Sequence, residues 1–433
     1  MDLKQQQRDK DELEQIRKEL CNSSSSDEEE GYISDENINN EYCKEIRKDK
    51  SLINEGQERF KFSQGSVALV GNPGGGKSTS IVEYLKKKEN NVVLTFVFNK
   101  NAQLDLLKKL KENNIKQKVQ TFDSFYLQFN KENDIRVKKL DNDSENNKNE
   151  KNEFHTLVRI KCLENIKKRD TNLNFIKNIK YLIIDEAQDM NEHNFNLVNI
   201  ISKRLKNIPV ITAGDPNQCI FSDLRDCDDK YMFSFCGNNI IELNINYRSS
   251  NEIINLATYF QNKYHKMIPV KNNGPLPKYI KSNKKLKIRK HILNEINKFK
   301  NLGNILLSNI CIIVHTNKEG KKINKLLKDN KFITNNFTNN DNPKIKEDGI
   351  NIMTYYKSKG LEFNTVFLVD FQDNYRVHIK LDNNLKYTGI TRAIENLYLY
   401  YNTYDDEDFN REKRENKIMK NNVPKNLYEN IIL

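Results

Sequence analysis

The chain has 433 residues, 36% hydrophobic and 30% charged, with a net charge of +12. That length suffices for two or three domains, each with its own core, and no apolar run approaches the roughly eighteen residues that span a bilayer. Residues 1–20 lack the apolar stretch of a secretion signal. Seven scattered cysteines (Cys21, Cys43, Cys162, Cys219, Cys227, Cys236 and Cys311) form no C-x-x-C pair. They argue against a zinc site or disulfide framework and for reduced thiols inside a cell, in nucleus or cytoplasm.

Residues 1–50 read as a disordered, acidic, serine-rich tail with 9 Lys/Arg and 15 Asp/Glu, a balance of −6. Leu3, Leu13, Ile16 and Leu20 could form a short amphipathic helix, but the serine and acidic run at 23–30 has too little apolar surface to fold. The remainder carries +18. Such a body suits a polyanionic partner, because Lys and Arg release counterions from phosphates. A Lys- and Asn-rich composition from an AT-rich genome accounts for the surface lysines equally well.

From about Ser51 short apolar runs alternate with helical patterns. The runs 67–70, 92–98, 119–122, 181–184 and 210–213 read as buried parallel strands. A second set follows at 240–243, 310–314, 350–354, 366–369 and 397–401. The pattern predicts two α/β domains, each a mostly parallel sheet flanked by helices. Their expected bounds are 51–240, with a short insertion near 130–175, and 241–433. Polar stretches near 131–152, 271–290 and 334–348 read as loops or small insertions.

Two segments carry chemistry. Gly71-Asn-Pro-Gly-Gly-Gly-Lys77-Ser78-Thr79 fits G-x-x-x-x-G-K-[ST] between a buried strand and a helical segment at 80–88. Gly71, Gly74, Gly75 and Gly76 let backbone N–H groups wrap phosphates, and the helix N-terminus adds its positive dipole end. Lys77 would reach the β and γ phosphates, and Ser78 would bind Mg²⁺ beside Thr79. At 181–189 four apolar residues end in Asp185-Glu186-Ala-Gln-Asp189. Carboxylates at the C-terminal end of a parallel strand lie where ligands sit. Asp185 is suited to the Mg²⁺ shell and Glu186 to activating the attacking water.

With these residues the sequence resembles the UvrD/Rep group of superfamily 1 helicases from about Gln57 to Tyr400, with some likeness to the F-box DNA helicase branch. The loop is similar to motif I and 185–189 to motif II. The resemblance implies two RecA-like domains with ATP in the cleft between them. It places Gln57 at the adenine. Asn99-Lys100-Asn-Ala resembles motif Ia, and Thr121-Phe122-Asp123-Ser-Phe resembles a nucleic-acid-facing T-F-H-S-F segment. Gly214-Asp-Pro-Asn-Gln218-Cys-Ile-Phe221 is similar to motif III, with Gln218 sensing the γ-phosphate and Phe221 near a base. Asn246-Tyr247-Arg248-Ser249 resembles motif IV, with Tyr247 on adenine and Arg248 as an arginine finger. The segment 354–363 resembles motif V, which implies nucleic-acid contacts from Thr354, Tyr356 and Lys359 and a ribose contact from Glu362. The segment 387–393 resembles motif VI, with Arg392 a second γ-phosphate contact.

The sequence departs from the family in three ways. The large inserted subdomains are short or missing, the second near 318–350, which puts unwinding by this chain alone in doubt. No tryptophan occurs, and Asp223 stands where the family stacks one on a base. Tyr356 and Asp123 replace histidines, and His315 stands where Arg is common. Of the aromatics Phe96, Phe98, Phe122, Phe125, Phe221 and Tyr356, most are expected in the core.

The resulting expectation is an ATP-dependent single-stranded DNA translocase or helicase, 3′ to 5′ by resemblance, in replication, recombination or repair. An RNA-directed motor and a nucleotide-gated clamp are the alternatives. A P-loop kinase or GTPase fits least, since it needs neither paired arginines nor motif V.

Overall fold

The computed structural model describes residues 55–137, 148–263, 265, 267–271, 273–338, 346–371, 378–402 and 423–433. The acidic tail and its short helix lie outside the described residues. Two compact units emerge. One comprises residues 55–71 and 76–243, the other residues 72–75 and 244–433.

The first unit holds α1 (Glu55–Lys61), β1 (Val67–Gly71), α2 (Lys77–Leu85), β2 (Val93–Val97), α3 (Lys100–Glu112), β3 (Lys118–Thr121) and α4 (Phe122–Glu132). It continues with α5 (Lys148–Asn165), β4 (Tyr181–Ile184), α6 (Glu192–Arg204), β5 (Val210–Gly214) and β6 (Ile240–Leu243). Six strands pair in the order β3-β2-β4-β5-β1-β6, all parallel. A parallel sheet needs both faces covered, and the strands supply apolar residues to both. Leu182 and Ile184 of β4 join Leu94 and Phe96 in one core, while Ile183 joins Val93 and Val97 in the other. The two-residue alternation of a strand divides them.

The second unit contains β7 (Ile245–Asn246), α7 (Asn251–Thr258), β8 (Ile268–Pro269), β9 (Lys278–Ser282), α8 (Lys285–Leu302), β10 (Ile310–Val314) and α9 (Asn317–Asp329). Then come β11 (Thr334–Asn336), β12 (Ile350–Thr354), β13 (Phe363–Leu368), α10 (Ile379–Ile390), β14 (Ala393–Asn402) and β15 (Glu429–Ile432). Seven strands run parallel in the order β11-β12-β10-β13-β14-β9-β15, and β7 and β8 form a separate pair. Each large sheet is a RecA-like α/β layer flanked by helices.

The structure corrects the reading in four places. The strand at 240–243 belongs to the first sheet, in register with β1 through Ala68↔Ile240 to Gly71↔Leu243. The polar stretch 271–290 contains β9 and the start of α8; Tyr279 and Ile280 are buried there although lysines flank them. The stretch 334–348 contains β11, and α5 begins at Lys148 within the polar stretch 131–152. Among the described residues, no helix is long and apolar enough to cross a membrane.

Candidate nucleotide-binding site

The loop after β1 is shaped by glycine. Gly74 and Gly76 adopt φ of 81° and 85°, the left-handed region in which a β-carbon is strained. Gly75 N donates to Asn72 O at 3.0 Å, tightening the turn that Gly71 opens. Helix α2 begins at Lys77 with Gly76 as its N-cap, a residue with no side chain to cap the first turn. Uncapped amides at a helix N-terminus attract anions. Lys77 is 9% exposed and its Nζ donates to Gly71 O at 2.8 Å, which folds the ammonium over the loop. Ser78 is half-buried and Thr79 exposed at the start of the same helix, and Gln57 is half-buried on α1. These features fit a polyphosphate: a positive group, first-turn amide donors and a hydroxyl, the last a hard oxygen ligand for Mg²⁺.

Two carboxylates follow β4. Asp185 N donates to Phe96 O at 3.0 Å, which ties the strand end to β2, and Asp185 Oδ1 accepts from Glu186 N at 3.0 Å. Burial raises the Asp185 carboxyl to about 6, the adjacent Glu186 charge adds to the rise, and Lys77 opposes it. A divalent cation is the natural counter-charge for such a carboxylate. Glu186 sits at φ 54°, a conformation that costs a residue with a β-carbon about 1–2 kcal/mol. Strain of this kind is kept where surrounding bonds fix it.

Those bonds come from two residues to which the sequence reading assigned no role. Gln188, 0% exposed, donates from Nε2 to Glu186 Oε2 at 2.5 Å and accepts Asp215 N on Oε1 at 3.1 Å. Asp215, also buried, accepts Asn217 N at 3.0 Å and Gln218 Nε2 at 3.1 Å. A continuous buried chain therefore runs Glu186–Gln188–Asp215–Gln218. Both linking residues lie inside quoted motifs, but only tertiary packing reveals that they touch.

In the second unit Arg248 Nε lies 2.6 Å from Glu362 Oε2, with side chains 15% and 17% exposed, and Arg248 Nη1 donates to Thr391 O at 3.3 Å. Arg392 is 1% exposed; Nε donates to Thr388 O at 2.9 Å, Nη1 to Leu361 O at 3.0 Å and Nη2 to Thr391 Oγ1 at 3.2 Å. Motif-like segments 246–249, 354–363 and 387–393 thus converge, with Thr391 touching both arginines. In this arrangement Arg392 is held by backbone and hydroxyl oxygens, and Glu362 lies against Arg248. Tyr247 is half-buried, and its backbone N donates to Gly74 O at 3.0 Å.

Comparison with known proteins agrees with this division. Residues 59–219 match the AAA domain, and residues 241–340 and 330–404 match the UvrD-like helicase C-terminal domain. The chain is similar to UvrD-like helicases in its second half and to an AAA domain in its first. R568 of Acanthamoeba polyphaga mimivirus, named for an ATP-dependent DNA helicase, is 31% identical over 252 residues, 53% of this chain and 35% of that one. The ATP-dependent DNA helicase PcrA of Leuconostoc citreum is 25% identical over 157 residues, 34% of this chain and 21% of its own. The ATP-dependent DNA helicase srs2 of Schizosaccharomyces pombe is 33% identical over 86 residues, 19% and 9% of the two chains. The matched region spans about a third of the first relative's length and less of the others.

The residues expected at nucleic acid fall into two groups. Asn99 and Lys100 are exposed at the start of α3, where Asn99 Oδ1 caps Ala102 N at 2.8 Å. Thr121 caps α4, accepting Ser124 N at 3.1 Å. Phe221 is half-buried with the Arg225 guanidinium 4.8 Å from its ring centre, and Tyr356 and Lys359 are half-buried after β12. Phe122 is different. It is 4% exposed and stacked on Phe96 at 4.6 Å and 9°, so it presents no open face to a base. Phe96 and Phe125 are fully buried with it, and Thr354 is buried at the end of β12. Asp123, a poor neighbour for a phosphate, is paired with Arg159 through contacts of 2.9 and 3.1 Å. His315 stacks on Tyr355 at 4.5 Å, and burial pushes its pKa down. It does not replace the positive charge of an arginine.

Proposed function

We propose that this chain is an ATP-driven motor on single-stranded DNA, a translocase or helicase moving 3′ to 5′ in replication, recombination or repair. The buried chain Glu186–Gln188–Asp215–Gln218 carries the reading. It couples the residue suited to activate water to the residue suited to sense the γ-phosphate, and a protein that only clamps DNA needs no such link.

In this reading Lys77 and the first-turn amides of α2 hold the β and γ phosphates, and Gln57 and Tyr247 flank the adenine. Ser78 and Asp185 hold Mg²⁺, which would neutralise phosphate charge. Glu186 accepts a proton from the attacking water while Gln188 fixes its carboxylate. Arg248 and Arg392 stabilise charge on the transferring phosphoryl group, the step at which an arginine finger contributes most. For that, Arg248 exchanges its pairing with Glu362 for the phosphate, and Glu362 is freed for the ribose. Asn99, Lys100, Thr121, Phe221, Tyr356 and Lys359 form the track, with phosphates held by polar groups and bases by aromatic faces.

The test is the steady-state ATPase rate with and without single-stranded DNA or RNA, beside Lys77→Ala and Glu186→Gln. Stimulation by DNA that both substitutions abolish is the expected result. Stronger stimulation by RNA moves the track to transcripts. Binding of ATP with no hydrolysis on any strand overturns the motor and leaves a nucleotide-gated clamp.

A further inference from the structure

The turn that carries Arg248 is organised by one buried side chain. Asn246 is 0% exposed at the end of β7. Its Oδ1 accepts two successive backbone amides, Arg248 N at 2.9 Å and Ser249 N at 3.0 Å. Its Nδ2 donates to Asn72 Oδ1 at 2.8 Å and to Pro73 O at 2.6 Å, both at the tip of the phosphate loop. Beside it, Gly74 approaches so closely that a β-carbon there would lie 2.4 Å from Arg248 Cβ. Its backbone is also fixed: Val270 N donates to Asn246 O at 3.0 Å.

A carboxamide suits this place because one planar group both accepts and donates. Aspartate would keep the acceptor for the two amides but turn an oxygen toward the Pro73 carbonyl. Alanine would leave Arg248 N, Ser249 N and Pro73 O without this partner in a buried setting, which is costly. Ser249 reinforces the turn from the other side, its Oγ donating to Ala393 O at 2.6 Å.

We infer that Asn246 is a positioning residue that sets the backbone of Arg248 against the tip of the phosphate loop, so that the guanidinium addresses the γ-phosphate at a fixed offset. This rests on the reading of the loop as the ATP site and of Arg248 as the arginine finger. Asn246 acts through Arg248.

A double-mutant cycle in single-turnover ATP hydrolysis tests it, using Asn246→Ala, Arg248→Ala and the pair in the full chain with single-stranded DNA. Misplacing a reacting group by about 1 Å costs about 100-fold, and loss of an arginine finger about 1,000-fold or more. Asn246→Ala should therefore slow hydrolysis about 100-fold on the wild-type background, yet add less than about twofold once Arg248 is gone. Multiplication of the two losses overturns the inference, because a merely structural asparagine would weaken the site whether or not Arg248 is present. If Asn246→Ala does not fold, Asn246→Asp runs through the same cycle, and wild-type hydrolysis by that variant also overturns it. A wild-type chain that hydrolyses no ATP sinks the motor reading itself; an active wild type with multiplicative losses sinks only the role of Asn246.

Discussion

Gly214→Ala is the sharpest test of the buried chain linking Glu186 to Gln218. Gly214 ends β5 with an ordinary backbone, so only space decides the outcome. A β-carbon there would lie 2.2 Å from Gln188 Oε1, 3.1 Å from Met232 Sδ and 3.2 Å from Ala187 N. A carbon and an oxygen settle at about 3.3 Å, so the Gln188 amide must retreat by about 1 Å. That stretches its bond from Asp215 N, now 3.1 Å, and its bond to Glu186 Oε2, now 2.5 Å. Overpacking costs about 1–3 kcal/mol and each weakened buried bond about 0.5–1.5 kcal/mol, for a total of about 2–6 kcal/mol. Urea denaturation reads the stability, and DNA-stimulated ATPase on the folded fraction reads the site. Adding Gln188→Ala removes the clashing oxygen and should restore part of the stability while ATPase stays low. A Gly214→Ala chain with the wild-type midpoint and the wild-type ATPase rate would refute the reasoning.

Phe122→Ala should cost about 3–5 kcal/mol of stability while leaving single-strand affinity of the folded chain unchanged. Phe221→Ala should do the reverse, weakening single-strand binding by about 1–3 kcal/mol in a fluorescence titration with little change in the urea midpoint. Arg289 and Glu319 form a two-bond pair at 2.6 and 2.8 Å, with side chains 15% and 7% exposed. Arg289→Met alone should destabilise by about 3 kcal/mol, and adding Glu319→Leu should recover most of that. Burial pushes the Glu295 carboxyl up, but hydrogen bonds from Lys298 and Tyr398, with Lys278 nearby, outweigh it and hold the pKa below the usual value. A carboxyl with a lowered folded pKa stabilises above its unfolded pKa and loses that contribution as pH falls through the folded value. Glu295→Gln should therefore lower the melting temperature at pH 7 and fall less far behind wild type below about pH 4.

The strands that lie deep in the sheets were legible because burial on both faces forces apolar runs such as 181–184 and 310–314. Strand β9 was not, since lysines at 278 and 281 frame its two buried hydrophobic residues, Tyr279 and Ile280. Ile240–Leu243 was legible as a strand but not as a neighbour of β1, because pairing across about 170 residues leaves no local signal. The phosphate loop and the carboxylate pair could be read from residue types alone, since their chemistry depends on backbone freedom and charge. The bridging parts of Gln188, Asp215 and Asn246 depend on which side chains face each other after folding. Phe122 shows the same limit in reverse: its place in a track-like motif suggested a base contact, and packing against Phe96 decides otherwise.

The order of the second sheet has a further consequence. Among the described residues strand β15 pairs with β9 alone, and Ile432 within it is 80% exposed. Its hold on the core rests on the partly buried Ile431 and Leu433, so it belongs to the low-stability end of the unit. Lifting it bares the outward amides and carbonyls of Lys278–Ser282, a ready template for any extended segment that can add in parallel. Hydrogen exchange at the β9 amides therefore measures how often β15 comes undone, ahead of global unfolding of the unit.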